Sequence, residues 1–210
     1  MTPATWYFDF VSPFSYLQAR MMPRFAGKAE IAMVPVLFAG LLNHWKNVGP
    51  AEFPEKRRWT YRHCTWNARR LGIPFRFPPR HPFNPLKPLR LAIALGAKPE
   101  IVQAIFAFIW AEGRDPADAA EWKALGAKLG VADADAATDK PEVKDKLRAN
   151  TEKAIAAGVF GVPSFVVGKE VFWGVDATDF VLDYLENPAL LRDPEYQRVA
   201  KLPAGAERKR

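Results

Sequence analysis

A chain of 210 residues, 49% apolar and 13% aromatic, can bury a full core as one large domain or one domain with a sizeable insertion. It has no run of about 18 apolar residues, which argues against a membrane-spanning helix. Its single cysteine, Cys64, rules out an intramolecular disulfide and suits a reducing compartment.

The first apolar run, Trp6 to Val11, reads as a strand, and the chain enters it with no basic leader, so the expected address is the cytoplasm. Ser12 followed by Pro13 reads as a helix cap and a first-turn proline, opening a helix to about Ala26. Glu30 to Leu37 alternates loosely as a second strand. From Phe38 to about 142 the pattern is helical, interrupted by prolines. Within it, Glu55 to Leu71 is a basic amphipathic helix ending at Gly72, and the prolines at 74, 78, 79, 82 and 85 exclude a helix there. Apolar stripes at Leu86, Leu89 and Ile93, at Ile101, Ile105, Phe108 and Ile109, and at Trp122, Leu125 and Leu129 predict further helices.

The net charge of +7 is concentrated: residues 54–90 hold ten Lys or Arg against one acid, Glu55. A solvated helix face accounts for such a stretch, and so does attraction of a small anion into a cleft. No zinc-finger spacing, RNA-binding signature or helix-turn-helix accompanies the charge, so a nucleic-acid partner is not expected.

Residues 143–157 read as a helix closed by Gly158, Ser164–Val167 and Glu170–Trp173 as a hairpin, and 176–185 as a last helix. Residues after Pro188 are polar and basic, expected to be poorly ordered towards Arg210. The order βαβ, helical block, αββα is that of an α/β thioredoxin-like fold split by a large helical insertion. The expected boundaries are 1–37 and 143–187 for the thioredoxin-like part, 38–142 for the insertion and 188–210 for the tail.

In a thioredoxin fold the turn after the first strand usually carries Cys-x-x-Cys at a helix N-terminus, where the dipole stabilises a thiolate. Ser12 and Ser15 occupy those positions here. A scaffold for a thiolate without a thiol points to a borrowed one, and glutathione is the obvious candidate. Gly161-Val162-Pro163 before an apolar strand matches the cis-proline element of the same fold, where the main chain of Val162 can pair with an extended peptide. A covalent serine nucleophile would need a neighbouring base, and His44, His63 and His81 stand in no triad setting. No metal-ligand pattern is present.

The segments 7–17, Asn47-Val48-Gly49-Pro50, Gly72-Ile73-Pro74-Phe75, Phe83-Asn84, 160–165 and Phe172-Trp173-Gly174-Val175-Asp176 occur in an order that resembles the 2-hydroxychromene-2-carboxylate isomerase family, which belongs with the kappa-class glutathione transferases. The resemblance implies a DsbA-like fold, glutathione as cofactor, an aromatic carboxylate substrate and a homodimer. It places Ser12 against the glutathione sulfur, Val162 on the cysteinyl main chain, Asp176 at the γ-glutamyl end, and Asn47 and Lys56 at the peptide and glycyl carboxylate. Trp45, Lys46 and Phe83 become candidates for the second substrate. The chain departs from the family pattern at Leu42, at Glu52-Phe53 and at Ala177, all positions that face the second substrate. The expected activity is glutathione-dependent cis–trans isomerisation of an unsaturated aromatic carboxylate. Conjugation of electrophiles and a non-catalytic binding module are the alternatives.

Overall fold

The computed structural model describes residues 1–206. Four strands, β1 (Thr2–Phe8), β2 (Ala29–Pro35), β3 (Ser164–Val167) and β4 (Glu170–Trp173), form one mixed sheet in the order β2-β1-β3-β4. β1 runs parallel to β2 and antiparallel to β3, and β3 runs antiparallel to β4. Helix α1 (Pro13–Met21) connects β1 to β2. Between β2 and β3 lie α2 (Phe38–His44), α3 (Pro54–Arg70), α4 (Leu86–Ala94), α5 (Pro99–Phe106), α6 (Ala119–Lys128), α7 (Ala134–Asp139) and α8 (Pro141–Ala156); α9 (Thr178–Glu186) and α10 (Pro194–Val199) follow β4. This is the α/β thioredoxin-like fold, with a helical block between β2 and β3, expected from the sequence.

The two-residue period of the central strands sorts the core into two layers. Trp6 and Phe8 on β1 join Phe165 and Val167 on β3 and Val181 on α9, whereas Tyr7 faces Val36, Leu41, Ala154 and Val162 on the other side. The first layer continues without a break into the helical block through Leu89, Ile105, Phe106 and Trp110. Phe106 lies 4.6 Å from Phe10 and 5.5 Å from Phe8, ring centre to ring centre.

Several boundaries differ from the sequence expectation for local reasons. β1 begins at Thr2 because its polar start pairs with Ala29 of β2, and it stops at Phe8 because Ser12 N–H donates back to the Asp9 carbonyl, closing a turn. Pro23 cannot continue α1, which gives way at Met22 to one 3₁₀ turn. Beyond Pro188 the chain forms α10, with Tyr196 stacked 6.1 Å from Phe180; Arg210 itself lies outside the described residues. After α5 the chain widens into an i→i+5 turn, Glu112 N–H donating to the Ala107 carbonyl at 2.9 Å, and this turn carries Trp110.

Because Phe106 packs on strand residues, Phe106→Ala should lower stability by about 3–5 kcal/mol in urea unfolding. Tryptophan fluorescence and far-UV circular dichroism should report one shared transition; two separate transitions would show that the helical block folds on its own.

Candidate active site

The turn at the end of β1 is built from main-chain polar groups that each find a partner. Asp9 is fully buried and accepts from Val11 N–H (Oδ1, 3.0 Å) and from Phe38 N–H at the start of α2 (Oδ2, 2.9 Å). Phe10 C=O accepts from Trp110 Nε1–H at 2.8 Å, and His81 Nε2 lies 2.8 Å from Val11 C=O. The turn delivers Ser12 as the N-cap of α1, its hydroxyl accepting from Ser15 N–H at 3.2 Å, with Pro13 at the position where a missing N–H costs nothing.

Directly across from Ser12 lies the loop before β3. The Val162–Pro163 bond is cis, as the sequence suggested, and Ser12 Oγ stands 3.5 Å from the Val162 carbonyl oxygen. A hydroxyl held this loosely has a proton it can redirect, next to a helix N-terminus whose dipole favours negative charge. Ser15 has no access: it is fully buried, and among the described residues its Oγ has no hydrogen-bond partner. Of the two serines Ser12, itself 7% exposed, is the less enclosed and the one whose hydroxyl faces the proline loop.

Aromatic side chains flank the proline loop. Trp45 is partly exposed and its Nε1–H donates to the Val159 carbonyl at 2.9 Å. Trp173, 55% exposed, packs over Gly161, where any Cβ would lie 2.5 Å from the indole nitrogen, and sits 5.1 Å from the Phe160 ring. Only glycine allows that approach. Asp176 is exposed and follows Gly174, whose φ of +97° and closeness to the Asp176 carboxylate again require glycine. Gln18 ties this turn to α1: it accepts from Trp6 Nε1–H at 2.8 Å and donates to Gly174 C=O and Thr178 Oγ1, each at 3.1 Å.

The structure therefore brings Ser12 and Val162 together and links the Asp176 turn to α1, while Trp45 reaches the proline loop. Asn47 is exposed and its Oδ1 accepts from Val48 N–H at 2.8 Å, shaping its own loop. Lys46 is exposed with φ +50°, and Lys56 is exposed on the first turn of α3. Among the described residues no hydrogen bond joins Asn47 or Lys56 to Ser12. Phe83 is buried against His81 and Trp110, behind the turn rather than on an open face. Sequence reasoning assigned no role to Asp9, Gln18, His81, Phe160 or Trp173, although Asp9, Phe160 and Trp173 lie in the segments that carry the resemblance. For Asp9 a signal existed, since it is a carboxylate inside the apolar run Trp6 to Val11.

Cys64 is buried on α3, and burial pushes its thiol up to about 12. It contributes no thiolate. Burial also pushes the Asp9 carboxyl up to about 7, against the pull of its two main-chain donors. A carboxyl whose native pKa exceeds its unfolded value holds its proton more tightly when folded. Stability therefore falls as pH rises from the ordinary 3.8 to about 7 and levels off above. Asp9→Asn removes this titration, so urea unfolding should show the wild type losing stability relative to the variant across that window. A difference independent of pH would refute this.

A family model, the DsbA-like thioredoxin domain, matches residues 5–186. The chain is 30% identical over 195 residues to the 2-hydroxychromene-2-carboxylate isomerase of Sphingobium xenophagum, covering 85% of this chain and 95% of that protein. It is 28% identical over 204 residues to glutathione S-transferase kappa 2 of Caenorhabditis elegans, covering 87% and 91%. Among solved structures it superposes on a 2-hydroxychromene-2-carboxylate isomerase with a TM-score of 0.75 at 25% identity, over 92% of this chain and 98% of the other. The chain belongs to the DsbA-like thioredoxin family, in the group of enzymes that holds the 2-hydroxychromene-2-carboxylate isomerases and the kappa-class glutathione transferases.

Proposed function

We propose that this protein is a glutathione-dependent cis–trans isomerase of an unsaturated aromatic carboxylate resembling 2-hydroxychromene-2-carboxylate. The observation that carries the reading is the meeting of a serine-capped helix N-terminus with a cis-proline loop, in a chain whose only cysteine is buried elsewhere. The isomerase relatives and the kappa-class relative support the same direction.

The residues present suit the tripeptide chemically. Ser12 would turn its proton from the Val162 carbonyl towards the sulfur, and a hydrogen bond to the charged form lowers a thiol pKa. The main chain of Val162 suits an extended peptide, Asp176 an ammonium, and Asn47 and Lys56 a peptide group and a terminal carboxylate. When bound, glutathione supplies a thiolate that adds reversibly to a conjugated carbon, letting a double bond rotate as a single one without being consumed.

The chain's own share is positioning and charge. Trp45, held at Val159, offers an apolar wall beside the proline loop, and Phe83 backs the turn from the core. Lys46 and the basic first turns of α3 offer positive charge for the substrate carboxylate; the charge of Arg57 already acts on His81 and Tyr61. The working assembly in this reading is a cytoplasmic homodimer, with no nucleic-acid or membrane partner. No helix among the described residues is long and apolar enough to cross a membrane.

Conjugation is the second reading, favoured by the kappa-class relative. Turnover of a chromene carboxylate without loss of glutathione supports isomerisation. Consumption of glutathione with chlorodinitrobenzene alone supports conjugation. Ser12→Ala should lower turnover about tenfold or more. Loss of the helix cap should cost only about 1 kcal/mol, a fall in Tm of about 2–4 °C. Titration calorimetry with glutathione at about pH 7 and 8.5 should show binding with proton release, weakened in the variant. Near-normal turnover of Ser12→Ala would remove Ser12 from this role.

A further inference from the structure

The geometry points to His81, braced by Tyr61, as a positioning residue that orients the Val11–Ser12 peptide and thereby the Ser12 hydroxyl. This rests on the reading that Ser12 faces the glutathione sulfur.

The Val11–Ser12 peptide is held at both of its polar ends. Its N–H, on Ser12, donates to the Asp9 carbonyl at 3.1 Å, and its C=O, on Val11, faces His81 Nε2 at 2.8 Å. With both ends engaged the plane cannot rotate, and Ser12 leaves it in a fixed extended conformation, φ −89° and ψ 114°. Asp9 belongs to the same turn and holds it locally. His81 comes from the far side of the chain, 70 positions on, in the proline-rich stretch before α4.

The tautomer follows from the partners. A carbonyl oxygen only accepts, so Nε2 carries the proton, and Nδ1 is left as the acceptor. Tyr61, on α3, brings its hydroxyl to 2.6 Å from Nδ1 and to 2.8 Å from the His81 carbonyl oxygen. The ring is boxed by Phe77 at 5.8 Å, Phe83 at 6.2 Å and Trp110 at 5.4 Å. Burial first, and then the charge of Arg57, hold the imidazole below its ordinary pKa, while the Val11 carbonyl opposes them. The net effect favours the neutral ring with one donor and one acceptor. A phenylalanine would offer this aromatic box a ring but no N–H. What histidine adds is a directed N–H onto the peptide that carries Ser12.

The test uses the full chain and glutathione. Thiolate absorbance near 240 nm, titrated with pH, reads the thiol pKa of bound glutathione in wild type, Ser12→Ala, His81→Phe, His81→Gln and the Ser12→Ala/His81→Phe double variant. His81→Phe should raise the bound thiol pKa by about half a unit or more. His81→Gln, which keeps an amide N–H at a similar reach, should recover most of that shift. The double variant should match Ser12→Ala, because a residue acting through Ser12 has nothing left to orient. A wild-type thiol pKa in His81→Phe, or full additivity with Ser12→Ala, overturns the proposal and leaves the glutathione reading standing. Failure of the wild type to bind glutathione overturns both. Should His81→Phe not fold, nitrogen NMR of the wild-type imidazole in its neutral form decides: Nε2 protonated and Nδ1 bare supports the arrangement, and the opposite tautomer overturns it.

Discussion

The antiparallel pairing of β1 with β3 is the constraint on which the site depends. It sets Tyr7 opposite Ser164, so the end of one strand and the start of the other share an edge of the sheet. Ser12 follows shortly after the first and Val162 shortly precedes the second, and residues 150 positions apart stand 3.5 Å from each other. A slip of one residue would put Trp6 and Phe165 on opposite faces of the sheet. The ring layer formed by Trp6, Phe8, Phe165 and Phe106 makes such a slip costly, so the core that stabilises the fold also sets the distance across the site.

Around that edge, Ser15 apart, buried polar groups are joined in chains. Gln18 links β1 to the Gly174 turn, and Asp9 links the Ser12 turn to α2. Thr151 and Asn150 on α8 hold the Leu37 N–H and the Pro35 carbonyl, fixing the exit of β2. Each bond contributes about 0.5–1.5 kcal/mol net, but an orphaned partner would cost about 1–3 kcal/mol. Their effect is to specify one arrangement of the loops more than to add stability.

The helical block is structurally part of the turn it covers. Trp110, carried by a widened helical turn, and His81, carried by a proline-rich stretch, both reach the main chain between Phe10 and Ser12. Arg57 adds positive charge to the same neighbourhood. A thioredoxin-type sheet supplies the helix N-terminus and the proline loop; the insertion supplies partners that hold the turn between them.

Much of this could be read along the chain. The hairpin Ser164–Val167 and Glu170–Trp173, the cap at Ser12 and the cis bond at Pro163 are local signals, carried by turn chemistry, strand alternation and side-chain capping. Ordered motifs from residue 7 to 176 identified the family for the same reason, since motifs are local. The inward burial of Ser15, the packing of Phe83, the looped-back Asn47 and the reach of His81 were not legible. Sequence by itself determined the strands, the first helix and the hydroxyl that caps it. Only the tertiary structure decided which side chains meet there, because partners such as Val11 and His81 are joined by strand register and packing, and neither leaves a trace in the residues nearby.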